Sequence, residues 1–94
     1  MQTVQSALHA GIDVSKAHLD LDIYPQAAPQ RFANDEPGRL ALCAQLQAVA
    51  PTLIVVEATG GLELPLVGLL AAKGLVVAVI NPRQARDFAK AIGV

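Results

Sequence analysis

Two acidic residues stand where strands ought to be apolar. Asp13 lies in "GIDVSK" between β-branched Ile12 and Val14, and Glu57 closes the apolar run "LIVVE" just before "ATGG". An ionised carboxylate held inside a strand loses hydration, which is unfavourable unless a counter-charge or hydrogen bonds offset it. If the two strands lie side by side, the carboxylates converge on one sheet edge. Clustered carboxylates repel, so either a proton is retained or a cation is bound. Hard oxygen ligands suit magnesium or manganese, and the sequence offers no Cys/His ligand set. The plainer alternative is that each acid caps a strand end or pairs with a basic residue, because the spacing alone forms no motif.

Further candidates surround these two. Ser15 and Lys16 come just after the first acid, placed either to touch a phosphate or to form an ordinary hairpin turn. Thr59, Gly60 and Gly61 form a turn after Glu57 whose backbone N–H groups suit a phosphate. The full glycine-rich phosphate motifs are absent, so a plain tight turn competes with that reading. Arg83, Arg86 and Lys90 are spaced to share the polar side of a helix, as phosphate contacts or as a solvated basic face. Asp20 and Asp22 read as solubility residues on an outer strand face. His9 and His18 have no ligand partners at useful spacing. Cys43 reads as a core residue, and Glu63 as an acid favoured at a helix start.

The elements that must position these residues follow from periodicity. "LHAGIDVS" reads as a first strand. "HLDLDIY" then alternates, with Leu19, Leu21 and Ile23 on one face and His18, Asp20, Asp22 and Tyr24 on the other. "PQAAPQ" breaks the pattern, and "RFAN" forms a short third strand. Asn34 or Asp35 caps a helix through "EPGRLALCAQLQAVA", whose apolar stripe is Leu42, Cys43, Leu46, Val49 and Ala50, with Pro51 as its end. "TLIVVEAT" reads as a central strand covered on both sides. A helix from Leu64 stops at Gly74, "LVVAVI" is another buried strand, and Asn81–Pro82 opens a last helix with Ala85, Phe88, Ala89 and Ile92 on one face. The order is strand, strand, strand, helix, strand, helix, strand, helix, which predicts an α/β fold with a mixed sheet and helices packed on it. Glu57 then sits at the carboxyl end of a parallel strand, where sites of such folds gather.

Composition narrows the class. In 94 residues, 53% are hydrophobic and 16% charged, an excess of apolar residues that implies a tight core or apolar surface meant for another segment or subunit. The net charge of −1 gives no global pull toward nucleic acid or membranes, so any DNA contact must use local basic residues. One cysteine excludes an intrachain disulfide, in keeping with a reducing cytoplasm. No run approaches the roughly 20 apolar residues that cross a bilayer, and the first residues lack the pattern of a secretory signal.

Three segments carry a family resemblance: "GIDVSK" followed by an alternating strand, then "VVEATGG", then "VINPRQARDFAKAIG". From Ala10 onward the chain resembles the N-terminal domain of DEDD-type transposases of the insertion-sequence 110 family, found in bacterial mobile elements. The resemblance implies a ribonuclease H-like, RuvC-like fold. It also implies a four-carboxylate magnesium site, two ions when complete, for cutting and joining DNA. Asp13 matches the first acid of that set and Glu57 the second. The third and fourth acids of the family, and its C-terminal serine-bearing domain, come after the segment that ends here at Val94. Residues 1–94 are therefore expected to be a partial catalytic domain, cut before its last elements, that binds magnesium poorly and is inactive alone. DNA is the implied partner, with a guide RNA a further candidate in the full-length parent, and the implied setting is the bacterial cytoplasm.

Two rival readings stand beside this one. Actin-like and sugar-kinase ATPases share the topology, but their first hairpin turn typically carries glycine, which "DVSKAH" lacks. A non-enzymatic interaction module is the other. Apolar surface left uncovered by truncation implies self-association, as a dimer by symmetric burial or swapping.

Overall fold

The computed structural model describes residues 8–25 and 29–81, together with 83 and 90. Strands β1 (His9–Val14), β2 (His18–Tyr24) and β3 (Gln30–Ala33) form an antiparallel meander. Helix α1 (Glu36–Val49) then crosses over to β4 (Leu53–Glu57), and helix α2 (Leu64–Ala72) leads to β5 (Val77–Ile80). The sheet order is β3-β2-β1-β4-β5, with β4 parallel to both β1 and β5. This is the mixed α/β sheet expected from the strand and helix order.

Alternation sorts the residues onto two faces. Ala10, Ile12 and Val14 of β1, Leu19 and Leu21 of β2, and Ile54 and Val56 of β4 form one cluster with Leu42, Cys43 and Leu46 of α1 and Leu66 and Leu70 of α2. Both helices therefore cover the same sheet face. Burying a leucine side chain fully stabilises by about 1.5–3 kcal/mol relative to exposure, and Leu19, Leu21, Leu42, Leu46, Leu66 and Leu70 are all fully buried. The ion pair between Arg31 and Asp20 is exposed and screened by solvent, so it ranks far below this cluster. The core holds the fold.

Helix α1 starts where Asp35 caps it, its Oδ1 accepting the Gly38 N–H at 2.8 Å, with proline in the first turn. Asn34, the other candidate cap, has a different task. Its side-chain amide donates to the Ser15 carbonyl at 2.8 Å, and its oxygen accepts from Arg39 at 3.0 Å. Gly38 is required by close approach, since a Cβ there would collide with the Ala33 carbonyl and the Asp35 carboxylate.

Two expectations need correction, and a third falls largely outside the described residues. Ala50 does not continue the apolar stripe of α1; it is exposed and ends the helix in the left-handed region at φ 53°. Pro51 disfavours helical backbone at the residue before it, which accounts for the stop. The run read as one buried strand from Leu75 is shorter and more open. Only Val77–Ile80 is strand, and Val76 and Val79 are 61% and 45% exposed because β5 is an edge of the described sheet. The helix expected after Pro82 lies largely outside the described residues, as do Ala85, Arg86, Phe88, Ala89 and Ile92; Arg83 and Lys90 are helical and exposed.

Two substitutions test these backbone constraints by urea unfolding. Ala50→Gly relieves the left-handed alanine and is expected to stabilise by about 1 kcal/mol. Gly38→Ala forces α1 away from Ala33 and is expected to destabilise by at least about 1–3 kcal/mol.

Candidate metal site at the β1–β4 edge

The parallel pairing of β1 with β4 runs in the register His9 to Leu53, Ala10 to Ile54, Gly11 to Val55 and Ile12 to Val56. Asp13 and Glu57 are the next residue on each strand. Strand alternation turns both away from the helix-covered face that takes Ile12 and Val56. Asp13 is exposed and Glu57 half-buried. Among the described residues neither carboxylate has an ion-pair partner. The register is fixed at the other end of β4, where Thr52 donates both its backbone N–H (2.8 Å) and its hydroxyl (3.0 Å) to the Leu8 carbonyl.

The row extends across the sheet. Asp20 on β2 stands opposite Asp13, and Arg31 on β3 stands opposite Asp20. Like charges directly opposite one another destabilise a strand pair. Arg31 answers this by donating to both oxygens of Asp20, at 2.8 and 3.4 Å. That hydrogen bond, with the charge behind it, holds the Asp20 carboxyl below its ordinary range. Asp20 is thus a partner of Arg31 rather than a plain solubility residue. Writing "HLD" antiparallel to "RFA" already places the two opposite charges together.

Ser15 closes the turn after Asp13. Its Oγ accepts the His18 N–H and donates to the His18 carbonyl, both at 3.1 Å, while its N–H donates to the same carbonyl. Lys16 is exposed in that turn. On the other side, Gly60 and Gly61 adopt φ of 67° and 101°, values that glycine reaches without strain. The N–H groups of Thr59 and Gly61 do not point to an empty seat. They donate to Glu63 Oε1 at 2.9 and 3.1 Å, and the Thr59 hydroxyl adds a third contact at 3.3 Å. The sequence reading of Glu63 as a helix-start charge missed this backward reach. The available signal was an acid two residues beyond a double glycine.

The donor set of Asp13 and Glu57, two hard carboxylates, suits a divalent cation such as magnesium. Among the described residues no group of three or more His, Cys, Asp or Glu side chains is placed to hold a metal ion. The pair therefore fits part of a metal site. No helix among the described residues is long and apolar enough to cross a membrane.

Comparisons with known proteins bear on the family and the fold. A family model described as a transposase, the DEDD type of insertion sequence 110, matches residues 10–93. No curated protein matches the chain. Among solved structures, T. thermophilus RuvC in complex with a Holliday junction substrate superposes with a TM-score of 0.66 at 17% identity, covering 85% of this chain and 69% of that one. A second Thermus thermophilus RuvC structure gives a TM-score of 0.59 at 20% identity, covering 92% and 69%. The fold is RuvC-like, hence ribonuclease H-like.

Glu63 predicts an acid response. Hydrogen bonds from the Thr59 N–H first, then from its own and the Gly61 N–H and the Thr59 hydroxyl, hold its carboxyl below the ordinary 4.5 despite opposing desolvation. A depressed folded-state value means stabilisation that is present above 4.5 and lost as pH falls through the lower folded value. Glu63→Gln is therefore expected to flatten the fall of thermal midpoint below pH 4.5, measured as the difference from wild type across a pH series.

Proposed function

Because the chain belongs to the DEDD transposase family of the insertion-sequence 110 type, we propose that it forms the N-terminal part of a metal-dependent enzyme that cuts and rejoins DNA strands. Asp13 and Glu57 are two of the carboxylates that hold its magnesium. One observation carries the site assignment: the β1–β4 register brings two strand-borne acids to successive positions on one edge and one face. Asp13 and Glu57 would hold a divalent ion there, which when bound would supply charge neutralisation at a phosphodiester and a more acidic attacking oxygen.

The chain's own residues divide the remaining work. Asp13 and Glu57 supply oxygen ligands from two adjacent strands, so their spacing is set by sheet hydrogen bonding rather than by loop motion. Lys16, exposed beside Asp13, and Arg83, exposed on helical backbone, offer charge to the DNA phosphates. Arg86 shares that role by its spacing in the sequence. Ser15 shapes the turn, its hydroxyl being engaged with His18. Thr59 and Gly60 lie in the turn after Glu57, where Glu63 already takes the Thr59 N–H. DNA as the partner is supported by the RuvC relative, which was solved on a Holliday junction. No observation favours the ATP-binding alternative.

Two carboxylates hold a hydrated ion with little positional control, whereas a complete site needs several. The 94-residue chain alone is expected to bind magnesium weakly and to leave branched DNA uncut. A divalent-dependent cut by the pure chain that disappears in Asp13→Ala would refute the inactivity and retain the site. Loss of residue-specific Mn2+ broadening in both Asp13→Asn and Glu57→Gln supports the site. Broadening that ignores both substitutions overturns it. Self-association is the further partner reading, supported by Leu64 and Val76 at 65% and 61% exposure. Light scattering is expected to give a mass above one chain, and a clean monomer at ordinary working concentration would dismiss it.

A further inference from the structure

Among the described residues Glu63 is the one charged side chain that is buried, at 7% relative exposure. Burial of a carboxylate is unfavourable without full hydrogen bonding. Here a single oxygen collects the Thr59 N–H, the Gly61 N–H and the Thr59 hydroxyl. The partners belong to the turn that begins two residues after Glu57.

That turn has little else to define it. A Cβ at Gly60 would meet nothing within 4 Å, and the Gly61 position is nearly as open. At these two glycines, therefore, side-chain packing does not set the course of the backbone. Hydrogen bonds do. Ala58 donates to the Ile80 carbonyl at 2.8 Å, Leu62 reaches back to the Thr59 carbonyl at 3.4 Å, and Leu64 donates to the Gly61 carbonyl at 3.1 Å. The shortest contacts made by the turn's own N–H groups are those to Glu63. Glu63 in turn is anchored by α2, since the Val67 N–H donates to its carbonyl at 2.9 Å and Leu66 and Leu70 are fully buried in the core.

From this geometry we infer that Glu63 is a positioning residue for the metal site. Its carboxylate ties the turn that follows the Glu57–Ile80 pairing to the start of α2 and so holds the backbone next to Glu57 in one course. The inference rests on Glu57 being a metal ligand, as proposed above. It adds a residue that touches neither metal nor DNA but steadies the turn next to Glu57, supplementing the sheet ladder that sets the spacing of Glu57 from Asp13. An ordinary tight turn would need no buried charge. A carboxylate used this way trades hydration for a fixed backbone beside an acid whose usefulness depends on placement.

The probe is Mn2+ alone, titrated into the chain while broadening of assigned amide resonances is followed. Wild type is expected to show broadening centred on the amides of residues 13 and 57. Glu63→Ala is expected to weaken the apparent affinity about three- to tenfold, at or below the lower end for partners that hold a ligand directly. Glu63→Gln keeps the shape and a neutral acceptor, and is expected to fall between wild type and Glu63→Ala. If Glu63→Ala does not fold, Glu63→Gln carries the test. Leu46→Val, a core truncation in α1, serves as a control for lost stability and is expected to bind as wild type does. Faster hydrogen exchange at Thr59 and Gly61 in Glu63→Gln is the accompanying signature. Wild-type affinity in the Glu63 variants, with binding lost in Asp13→Asn, overturns the positioning role and leaves the site standing. Equal weakening in Leu46→Val also overturns it. Broadening that never centres on residues 13 and 57 removes the site and the positioning role together.

Discussion

The parallel ladder between β1 and β4 is the constraint on which the rest of the molecule depends. Residues 9–12 and 53–56 are far apart in the chain, and parallel strands cannot be joined by a tight turn. The crossover helix α1 is therefore obligatory, and its apolar stripe of Leu42, Cys43 and Leu46 is what returns the chain to the sheet. A slip of one residue in this ladder would turn Ile54 and Val56 outward and Glu57 into the core. Burial of those two side chains thus fixes the placement of the acid. The bifurcated contact of Thr52 with the Leu8 carbonyl adds a polar stop at the start of the ladder.

At the other end of the ladder, the two chain exits are held by polar contacts of different kinds. Beyond Asp13, Ser15 closes the turn on His18, and Asn34 links the Ser15 carbonyl to Arg39 at the start of α1. Beyond Glu57, Glu63 binds back to the turn from the start of α2. Each acid is followed by a turn secured to the helix that covers the opposite sheet face. Apolar burial supplies the stability, and these few hydrogen bonds supply direction.

Charge on the open face follows the same economy. Asp20 stands across from Asp13, and on its own it would repel it; Arg31 absorbs that repulsion from the outer strand. The arrangement leaves Asp13 as the acid at the junction between the meander and the parallel half of the sheet. Functional sites of α/β folds gather where strand connections change direction in this way. The match to the transposase family and the likeness to RuvC establish the family and the fold that carry this edge.

Much of this was legible from residue order. Period-two alternation in "HLDLDIY" and the β-branched run "LIVV" identify strands, Asp35 and Pro37 mark a helix start, and the two acids stand out because their neighbours are apolar. Local chemistry determines these features, since each depends on residues only a few positions apart. Other features depend on what the fold brings close. The end of α1 at a left-handed Ala50, the openness of Val76 and Val79, the claim of Arg31 on Asp20, and the burial of Glu63 are of that kind. So is the adjacency of positions 13 and 57. The sequence by itself determined which residues want to be buried and which carry charge. Only the tertiary structure decided which charges meet, because that depends on sheet order and register, and those are set by the core as a whole.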